Sequence, residues 1–281
     1  MENISVRRSI LRDLILPILV WAAIIVIFSS VKKLPFEFPE EGKILLRYLT
    51  KILTTVFIPL ILIRIIYKDE AEFGIYFPPF PDSFKLSFRA YSIGGPAGMS
   101  FLLIAFLGWG FDDWYGSAIL SITYLLVFYF VPKVCRKLPS RSEITIPNKQ
   151  IYVYVLLSLL SWIIAFFSYS YFPLISKILY YVFIVGLGEE LLFRGYLQSA
   201  FNRYFGKPFQ VGNVKFGYGL LLASLLFGLI HALVVVPPVW PWALFTFFMG
   251  LTLGYIREKD GSILAPLLLH AMLDMPLAFM S

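Results

Sequence analysis

Apolar residues run in long blocks along this chain, separated by short polar or proline-rich stretches. A block of about 20 apolar residues is long enough to cross a bilayer as a helix. Nine such segments are predicted, at about 14–28, 45–66, 91–109, 115–131, 151–167, 175–198, 218–236, 242–256 and from 263 to the C-terminus. The first could be taken for a signal peptide behind its basic flank of Arg7, Arg8 and Arg12. Its length, and the lack of a small-residue cleavage site after it, favour a retained span.

The breaks between blocks carry their own signals. Pro35 and Pro39 mark a loop, and Pro59 is expected to kink the second span. Arg47, Lys51 and Arg64 fall near the ends of that span, where long basic side chains snorkel toward water. The longest polar connection is 67–89, and Pro78, Pro79 and Pro81 oppose a helix through it. Gly94-Gly95-Pro96-Ala97-Gly98 is expected to be irregular. Tyr169, Tyr171 and Phe172 resemble an interfacial aromatic belt. Residues 200–216 read as a polar loop, Pro237-Pro238 ends the seventh span, and 257–261 reads as a short charged turn.

Composition agrees with the pattern. The chain is 59% hydrophobic and only 15% charged, against about half apolar and a quarter charged in soluble domains. The fold class is therefore an all-α, polytopic transmembrane bundle, and a single water-soluble core is excluded. The net charge of +7 does not point to nucleic acid, because no basic run carries interleaved exposed aromatics. The loops at 67–89, 133–149, 200–216 and 257–260 hold most of the Lys and Arg, whereas 110–114, 168–174 and 237–241 hold none. This alternation predicts a cytoplasmic N-terminus, with only Lys32 and Lys33 against it. The host would be the plasma or inner membrane in a prokaryote and the ER in a eukaryote. The basic stretch 133–149 divides residues 1–150, with no assigned function, from residues 151–281. Cys135 is the only cysteine, so neither an internal disulfide nor a cysteine metal motif can form.

The ionisable residues inside the apolar blocks, span ends set aside, are Glu189, Glu190, Arg194, His231, His270 and Asp274. All fall in the last third of the chain, on three spans. Charged groups within membrane segments are costly and usually functional. Glu190/Arg194, Phe227/His231 and His270/Asp274 are each four residues apart, so each pair shares a helix face. The Glu190–Arg194 pair also fits a purely structural ion pair, Phe227 fits core packing, and a lone histidine fits a satisfied core residue. Glu189 lies about 100° round the helix from Glu190 and lacks a local partner. A carboxylate buried alone holds its proton more tightly than one in water, which suits a general base.

Charge limits the options. Glu189, Glu190 and Asp274 against Arg194 leave an excess of two negatives, which low dielectric does not tolerate. A shared proton, a protonated histidine or a bound cation is required. Zn²⁺ could use such ligands, but the chain has no His-Glu-x-x-His motif. Depth is a second constraint. At ~1.5 Å per residue, Glu189 and His270 lie about 10–14 Å from the inner ends of their spans and His231 about 20 Å.

Glu-Glu-x-x-x-Arg at 189–194, Phe-x-x-x-His at 227–231 and His-x-x-x-Asp at 270–274, in this order on separate apolar segments, resemble the CAAX protease and bacteriocin-processing (CPBP, Abi) family. These are glutamate-type intramembrane endopeptidases. The surrounding Glu-Glu-Leu-Leu-Phe-Arg-Gly-Tyr-Leu fits the same family, and the likeness covers about residues 175–281. It implies a protease core in 151–281 that needs no cofactor. Glu189, helped by His231, would activate water; His270 and position 274 would stabilise the oxyanion; Glu190 and Arg194 would support the site. The substrate would be a membrane-associated or C-terminal protein segment. Position 274 is often Asn in this family and here is Asp. Ionised Asp cannot donate a hydrogen bond, so Asp274 serves an oxyanion only when protonated, or acts by orienting His270. The charge excess predicts the protonated form. The competing readings are a proton- or ion-coupled transporter, a zinc-dependent protease and a catalytically silent scaffold.

Overall fold

The computed structural model describes residues 9–31, 40–140, 151–168 and 172–280. Arg7, Arg8, Lys32, Lys33, Pro35, Pro39, Tyr169, Tyr171 and the stretch 141–150 lie outside these residues, and so do the expectations placed on them. The described residues form nine continuous helices and one hairpin. The first four helices are α1 (Leu11–Val31), α2 (Gly42–Tyr67), α3 (Phe80–Phe106) and α4 (Trp114–Cys135). Helix α5 (Ile151–Ser168) and helix α6 (173–205) follow. After the strands β1 (Phe209–Val211) and β2 (Val214–Phe216) come α7 (Tyr218–Leu233), α8 (Trp240–Asp260) and α9 (Leu264–Met280).

Helices α1, α2 and α4 are long and apolar enough to cross a membrane, and α5, α7 and α9 carry shorter apolar stretches. Side chains that face outward include Val26, Ile65, Met99 and Ile122, as contact with lipid requires. The protein is thus an all-α integral membrane protein.

Two apolar clusters build the interior. One joins Ile24 of α1, Val56 of α2, Tyr154 of α5 and Leu191 of α6. The other joins Ala90 of α3, Val127 of α4 and Leu253 of α8. Helix α9 belongs to both, through Leu267 in the first and Leu269 in the second. The seam between the clusters therefore runs along α9. Helices α7 and α8 cross closely because Gly228 has no side chain; a Cβ there would lie 2.5 Å from the Ala243 carbonyl oxygen. Small residues allow such approaches in membrane bundles.

Several sequence expectations are corrected. Helix α3 begins at Phe80, inside the connection expected to be non-helical. Pro81 sits in its first turn, where a missing N–H costs nothing. The helix also continues through Pro96 and its neighbouring glycines, because packing against α4 and α9 outweighs local propensity. Helix α2 runs on through Pro59, where a kink rather than an end is expected, and the π-helical turn Leu53–Phe57 lies just before it. The wider turn relieves the crowding of the proline ring against the carbonyl four residues back. Residues 200–216 are not one loop: α6 runs to Phe205, and a hairpin follows that pairs Phe209 with Phe216.

The expected turn at 257–260 is the last turn of α8, and all four side chains are buried. Each has a polar partner, which is what allows burial. Glu258 accepts from Gln198, Asn202 and Lys207. Arg257 donates to the Glu72 carbonyl and to Ser199, and Lys259 donates to the Leu138 carbonyl and to Asn213. Asp260 accepts from Ser83. These bonds fasten the end of α8 to α3 and α6.

Candidate active site

Helix α6 carries Glu189, Glu190 and Arg194 across the point where α-helix gives way to the π-helical segment Glu190–Leu197. Such widened turns concentrate at functional sites. Helix α7 supplies Phe227 and His231, and α9 supplies His270 and Asp274. All of these side chains except His231 and Asp274 are buried, and those two are partly buried.

His270 is the meeting point. Its Nδ1 is 2.8 Å from Glu190 Oε1, and its Nε2 is 3.4 Å from Asp274 Oδ2 and 3.9 Å from Glu189 Oε2. The shortest contact fixes the ring: an ionised carboxylate only accepts, so Nδ1 donates to Glu190. Nε2 is then the nitrogen turned toward Glu189 and Asp274.

Glu190 also meets Arg194, with Oε1 3.2 Å from Nη1. The distance makes an ion pair, but the alignment does not make a hydrogen bond. Arg194 Nη1 and Glu190 Oε2 have no hydrogen-bond partner among the described residues. Arg194 Nη2 donates to the Gly250 carbonyl of α8 at 3.3 Å, and the guanidinium lies 4.3 Å from the Phe227 ring centroid. That stacking is a cation–π contact in a desolvated setting. Phe227 in turn meets His231 edge-on at 4.7 Å and His270 at 6.1 Å. It is the apolar hub between the two histidines.

His231 is anchored at Nδ1, 2.6 Å from the Phe227 carbonyl oxygen. A carbonyl only accepts, so Nδ1 carries the proton and Nε2 keeps its lone pair. The ring stands against Trp242 at 5.3 Å. His231 couples electrostatically to Glu189 and His270 and makes no direct ion pair with either among the described residues. The depth mismatch expected between His231 and Glu189 is removed by the length of α6. This helix continues past Gln198 to Phe205, so Glu189 lies further from its inner end than the apolar run suggests. Helix α7 starts at Tyr218, as expected.

One residue of the site escaped the sequence reading. Lys51 does not snorkel from the end of α2. Its Nζ is 2.8 Å from Glu189 Oε1 and its side chain is 17% exposed. Glu189 is therefore not the partnerless carboxylate expected, and the premise for a tightly held proton there falls. Lys51 also supplies a positive charge that the charge argument lacked. Glu189, Glu190 and Asp274 now face Arg194 and Lys51, and one proton on His270 would balance them. The available signal was position, since Lys51 lies several residues inside its apolar block, followed by Thr54 and Thr55. Sequence alone does not tell a buried lysine from a snorkelling one.

The placement of Lys51 has a local cause. A Cβ on Gly188 would lie 2.3 Å from Thr55 Oγ1, so only glycine lets α2 and α6 approach this closely. Thr55 Oγ1 donates to the Lys51 carbonyl at 2.7 Å, four residues back on the same face. Tyr48, one turn before Lys51, stacks on Tyr180 of α6 at 4.5 Å.

Among the described residues, no group of three or more His, Cys, Asp or Glu side chains is arranged to hold a metal ion. The site therefore combines two ion pairs, two imidazoles and a part-accessible carboxylate within apolar walls. Such a set can deprotonate water and stabilise a developing negative charge.

Residues 170–275 match the family described as type II CAAX prenyl endopeptidase Rce1-like. No curated protein and no solved structure matches the chain. The matched region contains every residue of the site except Lys51. Residues 170–275, less than half of the chain, are similar to the CAAX protease family, whose Rce1-like members are peptide hydrolases.

Proposed function

We propose that this protein is a glutamate-type intramembrane endopeptidase that hydrolyses a peptide bond of a membrane-associated or C-terminal protein segment with activated water. The observation that carries this reading is the approach of Glu189, Glu190 and Asp274 to the single ring of His270, with His231 across Phe227. Glu189 takes a proton from water as the water oxygen adds to the carbonyl carbon. The carbon–nitrogen bond then breaks, and the proton passes to the leaving amine. His231 accepts from the same water through Nε2. His270 donates from Nε2 to the oxyanion, and each such donor contributes roughly 3 kcal/mol to the transition state. Glu190 holds the far side of the ring, and Arg194 steadies Glu190. Asp274 serves by orienting His270, the role its 3.4 Å separation supports.

The same reading takes 151–281 as the protease core, within nine spans and with a cytoplasmic N-terminus. No metal takes part, and nucleic acid is not a partner.

The test uses purified protein in liposomes with a quenched membrane-spanning peptide, assayed with and without a strong chelator. The expected result is cleavage at equal rates in both. Loss of cleavage on chelation, restored by Zn²⁺, would replace the glutamate mechanism with a metal one. Proton flux without cleavage would make the protein a transporter.

A further inference from the structure

We infer that Lys51 is a positioning residue: it holds Oε1 of Glu189 so that the carboxylate acts through Oε2. This role rests on the peptidase reading above and goes beyond it, because Lys51 lies outside the family match at 170–275.

The two oxygens of Glu189 have different surroundings. Oε1 is bonded to Lys51 Nζ at 2.8 Å. Oε2 faces His270 Nε2 at 3.9 Å, too far for a hydrogen bond. One oxygen is thus occupied, and the other has no hydrogen-bond partner among the described residues and points toward the ring proposed to hold the oxyanion. A carboxylate without Lys51 would turn freely about its last bond, since such terminal torsions are broad. An ammonium bonded to one oxygen stops that rotation.

The grip is itself held. Lys51 is fixed by the α2–α6 contact at Gly188 and Thr55 and by the Tyr48–Tyr180 stack. The N-terminal part of the chain therefore completes a site whose recognisable motifs all lie in the C-terminal part. In the reaction, water gives its proton to Oε2, its oxygen bonds to the carbonyl carbon, and Oε2 later returns the proton to the amine as the carbon–nitrogen bond breaks. Lys51 keeps its three protons throughout, so the step balances without it.

The test compares full-length wild type with Lys51→Met, Lys51→Gln and Lys51→Arg on the quenched peptide, with rates referred to the monodisperse fraction of each. Lys51→Met is expected to lower kcat by about 100-fold and to leave KM within about threefold, the pattern of a misplaced reacting group. Lys51→Arg, which keeps the charge and the donors, is expected to restore kcat to within about tenfold of wild type. Removal of one partner from a part-buried pair is costly to the fold, so Lys51→Gln keeps the experiment decisive if the methionine variant is not monodisperse. It retains a donor without the charge and is expected to lose about tenfold in kcat. Wild-type kcat in Lys51→Met or Lys51→Gln would overturn the role, and so would a loss that Lys51→Arg does not reverse. A wild type that cleaves nothing would instead overturn the peptidase reading, and the role with it.

Discussion

Exchange of Glu189 for glutamine is expected to lower kcat on a membrane peptide by about 10³-fold or more, the range that a positioned general base contributes. The amide has nearly the same size as the carboxylate and still offers Lys51 an acceptor at the Oε1 position. What it lacks is the capacity to take a proton from water. The loss should therefore appear in kcat, with KM little changed, because Glu189 holds the nucleophile rather than the peptide. Thermal unfolding in detergent provides the control. Lys51 is left part-buried beside a neutral group, so some loss of stability is expected at temperatures well above that of the assay. Turnover within tenfold of wild type in a folded Glu189→Gln protein would remove Glu189 as the base.

The second large effect is expected from His270→Ala. This ring occupies Glu190 at 2.8 Å and places Nε2 between Asp274 and Glu189. Its removal deletes the proposed oxyanion donor, a loss of about 10²–10³ in kcat. It also leaves Glu190 with Arg194 alone, through a contact that is close but poorly aligned. The variant should therefore lose both rate and stability. His270→Asn separates the two effects, because its amide can still donate one hydrogen bond. Partial recovery of kcat in His270→Asn, with the lowered melting temperature retained, is the expected result. Equal stability and undiminished kcat in His270→Ala would assign the donor to another group.

These two residues were legible because their cost is visible in the sequence. A carboxylate or imidazole in an apolar block has no cheap bland explanation, and Glu189, Glu190, His231, His270 and Asp274 stand out for that reason. The helical class was legible from apolar run lengths, which water exclusion dictates. Lys51 was not legible, because its partner lies 138 residues away and a long basic side chain near a span end has an inexpensive alternative in water. The start of α3 at Phe80 and the burial of residues 257–260 were missed for related reasons. Proline and charge are read as breakers and surface markers. A proline in the first turn, or a charged quartet with Gln198, Asn202, Ser83 and Lys207 waiting for it, reverses both rules. Such partners are set by tertiary structure, which local sequence does not encode.

The measurement closest to the central claim is a single turnover in ¹⁸O-labelled water, with protein in excess over peptide, followed by mass analysis of the product and of the protein fragment that contains Glu189. If Glu189 activates water, the new carboxylate of the product carries one ¹⁸O and Glu189 carries none. If Glu189 attacks the carbonyl itself and water then opens the resulting anhydride at the Glu189 carbon, the label appears on Glu189 and the first product is unlabelled, which would contradict the account.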